Sequence, residues 1–157
     1  MLDELHAASG GEAVVLGMQN DIYVQYIHMV QPPRQQVTGW YVKPGSLRPL
    51  CRSATGRILL SRKSDVEVQQ LLWRINAEEE PQLRLPVGDL LKELDRIRQD
   101  GYAYTEGTVN PEVGVLAVEM PTPPSQPPMA LGIGGRIEKL RRERARYLDL
   151  LHQALQA

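Results

Sequence analysis

A period of two along Ile22–Val30 predicts a strand, joined by a turn at Asn20-Asp21 to another strand over the mostly apolar run Glu12–Met18. In the second run Ile22, Val24, Tyr26, His28 and Val30 fall on one face. Pro32-Pro33 stops it, and Val37–Val42 reads as a third strand of the meander. Upstream, Leu2–Ala8 reads as a short helix ended by Ser9-Gly10-Gly11, and its abrupt start looks like the remnant of something longer. Lys43–Pro49 is a loop with a Pro44-Gly45 turn. The period then changes to that of helices. Ser53–Leu60 is one helix, and a second opens at the capping box Ser64-Asp65-Val66-Glu67 and turns Val68, Leu71, Leu72 and Ile75 inward. Pro81–Val87 is loop, and Asp89–Gln99 is the clearest amphipathic stretch, with Leu90, Leu91, Leu94 and Ile97 on one stripe and Gly101 just past its end. Tyr102–Glu106 and Val113–Met120 return to strands, and the five prolines of Pro121–Pro128 make a stiff exposed connection. A last strand, Met129–Gly134, leads into a helix over Ile137–Leu155. Strands grouped in this way, rather than alternating with helices, predict an α+β fold: an antiparallel sheet with helices on its faces.

At 157 residues the chain has room for one domain. A net charge of −1 gives no electrostatic footprint for nucleic acid. The basic run Arg141–Arg146 is interrupted by Glu143 and reads as a solvated helix face with local ion pairs. A single cysteine excludes an internal disulfide, no run is long enough to cross a bilayer, and the acidic N-terminus is no signal peptide. A cytoplasmic setting without membrane contact follows. With no Phe in the chain, aliphatic side chains must fill the core.

Three features carry candidate chemistry. Pro49–Arg57 feeds a helix N-terminus, where unpaired N–H groups and the helix dipole favour an anion; equally, Ser53 caps that helix while Ala54 and Gly56 permit tight packing. Gly132 and Gly134 share one strand face and leave a hollow for a ligand or for a helix. Cys51 lacks a linked base, since His6, His28 and His152 lie far off in sequence, so it reads as a small buried hydrophobe and the chain as no enzyme. The histidines lack metal-ligand spacing, so neither metal nor cofactor is expected.

Gly45-Ser46-Leu47-Arg48-Pro49-Leu50-Cys51-Arg52-Ser53-Ala54-Thr55-Gly56-Arg57-Ile58-Leu59-Leu60 resembles the "G…PLH.SA.GKALLA" signature of the IclR family of bacterial transcription regulators. Leu90–Gly107 is similar to its "L…L..IR..GYA.D.EE" segment, Val113–Met120 to "GL..IAVPV", Ala130–Gly135 to "AALSVSGP", and Leu5–Leu16 to "L...TGETV.L". The resemblance spans nearly the whole chain, in the right order. It implies the family's C-terminal effector-binding domain: a GAF-like twisted antiparallel sheet with helices on both faces, a pocket for a small effector, and association into dimers or tetramers. DNA would be read by an N-terminal winged helix-turn-helix that this chain does not contain. Carried over by position, the implied pocket residues are Ala54 and Thr55 at the helix entry, with Gly56 beside them. Thr105 follows on its strand, then Val115 and Ala117, and Gly132 and Gly134 on the last strand.

Cys51 stands where the family usually has His, and Arg57 where it has Lys. Gly132 and Gly134 replace frequent Ser, and Thr105 replaces a frequent Asp. Loss of an acid and of hydroxyls predicts a roomier, less polar hollow. It would suit an aromatic or other medium-sized organic acid, met by Arg48, Thr55 or the helix N-terminus. The loops Lys43–Pro49 and Glu106–Glu112 are expected to close over it. The competing reading is a domain that has lost its ligand and serves only as a dimerisation platform.

Overall fold

Most strands carry apolar side chains on both faces, so the sheet they build needs a cover on each side. In the computed structural model, which describes residues 1–33 and 41–156, six strands form one wholly antiparallel sheet in the order β3-β2-β1-β6-β5-β4. These are β1 (Ala13–Asn20), β2 (Tyr23–Val30), β3 (Leu47–Pro49), β4 (Ala103–Glu106), β5 (Val113–Met120) and β6 (Met129–Arg136). One face is covered by α2 (Ala54–Ser61), which brings α3 (Asp65–Glu78) and α4 (Val87–Asp100) with it. The other is covered by α1 (Leu2–Ala8) and α5 (Ile137–Gln156).

The alternation of side chains sorts the core accordingly. Val14, Leu116, Val118, Leu131 and Ile133 pack against α1 and α5, around the buried Tyr147. Val15, Ala103, Ala117 and Ala130 pack against α2. Small residues on that second face let the α2 backbone come close. A methyl added at Gly132 would lie 3.1 Å from the Thr55 Cγ2, so this glycine lets α2 pack close to the sheet.

Helix ends follow local chemistry. Ser64 and Glu67 cap α3 reciprocally, and Gly101, at φ 80°, ends α4 in the left-handed region with its N–H on the Ile97 carbonyl. Three expectations change. A β-bulge after Leu16 leaves Ile27 without a partner, so the face order of β2 reverses beyond it. Ile22, Val24 and Tyr26 point to α2 as the alternation predicts, but Met29 joins them there, while Val30 turns to the α5 side and His28 is exposed. The stretch read as a loop, Lys43–Pro49, contains β3, paired to Tyr23–Gln25. Pro81–Leu83 forms a turn of 3₁₀ helix inside a segment read as loop. The strand expected over Val37–Val42 lies outside the described residues except for Tyr41 and Val42.

Candidate functional site

The Pro49–Ser53 turn delivers the chain from the sheet edge into α2, and its geometry depends on three contacts. The Leu50 N–H donates to the Ile22 carbonyl, the Arg57 Nε donates to the Cys51 carbonyl (2.9 Å), and the Ser53 Oγ accepts from the Gly56 N–H (3.0 Å). Gly56 permits this turn: a methyl there would press onto the Leu50 carbonyl oxygen and lie 2.8 Å from the Leu50 Cα. The packing role foreseen for Gly56 and the capping role foreseen for Ser53 are therefore both present.

Beside this helix entry, between β2, β3 and the β4–β5 loop, lies a cavity of about 410 Å³. Tyr26, Tyr41, Val42, Val109, Val113 and Val115 supply its apolar surface, and Ser53, Thr105, Thr108 and Asn110 supply polar groups. Arg48 is the one charged side chain among the described lining residues, which include no carboxylate. The residue is half-buried, and its guanidinium donates to the adjacent Leu47 carbonyl (2.9 Å). Burial pushes the Tyr26 phenol above its ordinary value, with the Thr55 side chain and the Arg48 charge pulling it down. Tyr26 thus meets the cavity as a neutral hydroxyl.

Of the residues singled out from sequence, the structure brings Arg48, Thr105 and Val115 together on this cavity. Ala54, Thr55 and Ala117 are wholly buried in the core beneath it, and Thr55 reaches the cavity wall only through its neighbours, with its Oγ1 3.4 Å from the Ser53 Oγ. Gly132 lies under Thr55, and Gly134 is buried opposite Val115 in the ladder. Ser53, Thr108, Asn110 and both tyrosines were missed as lining groups. Tyr26 could have been found from its strand face, whereas Thr108 and Asn110 sit on a loop without period. The hollow is also richer in hydroxyls than expected, because five lining side chains carry one. Cys51 is buried nearby, and burial raises its thiol, the reverse of what a nucleophile needs.

The β4–β5 loop over the cavity is anchored from two sides. On the α2 side the Arg52 Nη2 donates to the Thr108 carbonyl (2.9 Å), while its Nη1 lies 3.7 Å from Glu79. On the far side Glu106 accepts both arms of Arg141 from α5 (2.7 Å each) and the Tyr104 hydroxyl (2.6 Å). The α5 N-terminus follows suit, with the Ile137 N–H on the Glu112 carbonyl. Arg144 lies over the rings of Tyr102 and Tyr104. Part of the basic run therefore reaches across to β4 instead of pairing only locally.

The whole chain, residues 1–157, matches the family model for the C-terminal domain of the bacterial transcriptional regulator IclR. The chain belongs to the IclR family. Solved structures agree. The effector domain of a protein described as the transcriptional regulator IclR of Acinetobacter sp. ADP1 is 28% identical with a TM-score of 0.88, over 99% of this chain and 89% of that one. The C-terminal domain of the Escherichia coli regulator KdgR is 23% identical with a TM-score of 0.79, over 99% and 89%. Thermotoga maritima IclR is 20% identical with a TM-score of 0.84, and the match covers 99% of this chain and 62% of that one. No curated protein sequence matches. This chain is thus the C-terminal domain of an IclR-type transcriptional regulator, with the GAF-like fold expected. Among the described residues, no helix is long and apolar enough to cross a membrane.

In this IclR domain the two carboxylates flanking the helix layer respond oppositely to pH. Arg141 and Tyr104 hold the Glu106 carboxyl down to about 2, so its contribution is present above the unfolded value of about 4.5 and lost as the pH falls towards 2. Burial raises Glu12, whose Oε2 has no partner among the described residues although Lys139 lies 3.5 Å from the other oxygen. Its contribution is present below the unfolded value and lost as the pH rises through the folded one. Melting temperatures between pH 5 and pH 2.5 should therefore fall less steeply in Arg141→Ala than in the native domain, and Glu12→Gln, which removes the opposing contribution, should make that acid limb at least as steep as before.

Proposed function

We propose that the domain binds a small organic acid, aromatic or otherwise medium-sized, in the cavity at the α2 entry, and that the bound state governs how a full regulator engages DNA. One observation carries this reading: a cavity of about 410 Å³ whose described lining holds one cation, Arg48, and no acid. That volume suits a small ligand rather than a peptide segment. The Ser53 end of α2 adds the positive end of a helix dipole, and the tyrosine and valine surfaces add apolar area. Arg48 and Ser53 would take the carboxylate, while Thr105, Thr108 and Asn110 would read polar substituents.

In this reading the protein is cytoplasmic and no enzyme, requires no cofactor, and functions as a homodimer or homotetramer. DNA is contacted by an N-terminal winged helix-turn-helix outside this chain. Signalling requires the acid to bind two arrangements of the assembly with different affinity. The loop at Thr108–Asn110 is placed to sense the ligand, and its stem at Glu106 and Glu112 touches α5 on the opposite face of the sheet.

A thermal-shift panel of aliphatic and aromatic acids tests the reading. One class should raise the melting temperature saturably, and Val115→Phe, which fills the cavity from β5, should abolish that shift while the unliganded fold is retained. Absence of a shift from every acid, together with a robust dimer, would instead favour the dimerisation platform.

A further inference from the structure

The loop joining β4 to β5 folds as a compact turn over the cavity. Gly107, at φ 68°, starts it in the left-handed region, and its N–H donates to the Val113 carbonyl. The Val113 N–H donates to the Asn110 carbonyl, and the Glu112 N–H to the Asn110 Oδ1 (3.0 Å). These bonds shape the turn without joining it to another element. Thr108, Val109 and Asn110 at its tip line the cavity, yet Val109 is 45% exposed, an apolar side chain that a ligand beneath it would cover. Arg52 meets the tip from outside. It is not among the described lining residues, but its Nη2 donates to the Thr108 carbonyl (2.9 Å) while its Nη1 lies 3.7 Å from the Glu79 carboxylate. Glu79 ends α3 with its N–H on the Asn76 carbonyl (3.2 Å), and its own carbonyl accepts from the Arg84 Nε (3.3 Å). The acceptor that steadies Arg52 is thus itself fixed in place.

We propose that Arg52 is the positioning residue of a lid over the cavity: it holds the Thr108–Asn110 tip through the Thr108 carbonyl, with Glu79 as the post that steadies its guanidinium, and the lid opens when the contact with Thr108 breaks. The planar fork of arginine suits this role, because its diverging arms reach two acceptors that a single ammonium serves poorly. Three segments distant in sequence, the end of α3, the turn into α2 and the β4–β5 loop, are joined through this one side chain. Both of its arms face protein acceptors, so Arg48 remains the cation that faces a ligand. A bond from a charged donor is stronger than one between neutral groups, but the Arg52 side chain is 30% exposed and water competes for it. The loop can therefore open locally while the core stays folded. A tip held before the ligand arrives costs less ordering on binding, and its release gives the ligand a way in and out. The identity of what is enclosed rests on the acid-binding reading, whereas the latch rests on the loop geometry alone.

Hydrogen exchange on the whole chain, read by mass spectrometry over residues 107–113, tests the latch. Arg52→Met, which keeps most of the stem and removes the donors, should speed exchange of these amides about tenfold. Exchange over Ala54–Ser61 should stay unchanged, which a general loosening of the turn into α2 would not allow. Arg52→Lys should restore part of the protection. Glu79→Gln leaves Arg52 in place and should give a smaller rise in the same loop, so the test stands even if Arg52→Met fails to fold. Saturating benzoate, as a probe acid, should slow exchange of the loop in the native chain and do so less in Arg52→Met. Unchanged loop exchange in both variants, or a rise shared equally by Ala54–Ser61, would overturn the proposal. Faster loop exchange in Arg52→Met, beside a native loop indifferent to benzoate, would support the latch and count against the acid-binding reading alone.

Discussion

Gly56→Ala is expected to destabilise the domain by about 3 kcal/mol, far more than a glycine-to-alanine change in a helix ordinarily costs, since alanine is the better helix former. The reason lies in what the methyl would meet. It would press on the Leu50 carbonyl oxygen and sit 2.8 Å from the Leu50 Cα, and backbone cannot move aside as a flexible side chain does. Leu50 is itself wholly buried and tied by its N–H to Ile22. Either the turn opens or α2 shifts, and both disturb Ser53 and the cavity wall. For a domain of this size the loss corresponds to a fall of roughly 6–12 °C in melting temperature, measurable by calorimetry. A neutral or stabilising outcome would mean that the turn is looser than described. Gly88→Ala serves as the control, because a methyl there meets nothing within 4 Å.

The second large effect concerns binding. Arg48→Ala should weaken the affinity for a carboxylate ligand about 30-fold, the equivalent of about 2 kcal/mol for a lost charge-assisted hydrogen bond in a partly enclosed site. Within the protein Arg48 donates to the adjacent Leu47 carbonyl, an exposed contact, so the stability of the unliganded domain should change by less than about 0.5 kcal/mol. Affinity and stability therefore separate in this variant, whereas in Gly56→Ala they fall together. Lysine at position 48 should recover part of the affinity, because it keeps the charge but not the planar fork.

Much of the fold was legible because local signals agreed with tertiary packing. The Ser64–Glu67 capping box, the glycine stop at Gly101 and the stripe Leu90, Leu94, Ile97 each placed an element within a residue or two of its position. Two features were hidden because they depend on pairing. The bulge at Ile27 is invisible to alternation, since it arises where β1 and β2 fall out of register. Three-residue β3 is too short for a period and owes its existence to the edge of β2.

The site was half legible for a related reason. Arg48, Thr105 and Val115 lie where chain order and strand parity direct them. Ala54, Thr55, Gly56, Ala117 and Gly132 were placed on the correct face, but small residues there bring α2 onto the sheet and fill the space that a pocket would need. The remaining wall comes from loop residues, whose positions are set by anchors such as Arg52 on the Thr108 carbonyl.

Titration calorimetry of the native domain with the best acid from the panel, beside the carboxamide of the same acid, tests the central claim most directly. Recognition by Arg48 and the α2 entry predicts a saturable one-to-one isotherm for the acid and at least about tenfold weaker binding of the neutral amide, with most of that difference lost in Arg48→Ala. Equal binding of acid and amide, or a preference unaffected by Arg48→Ala, would contradict it.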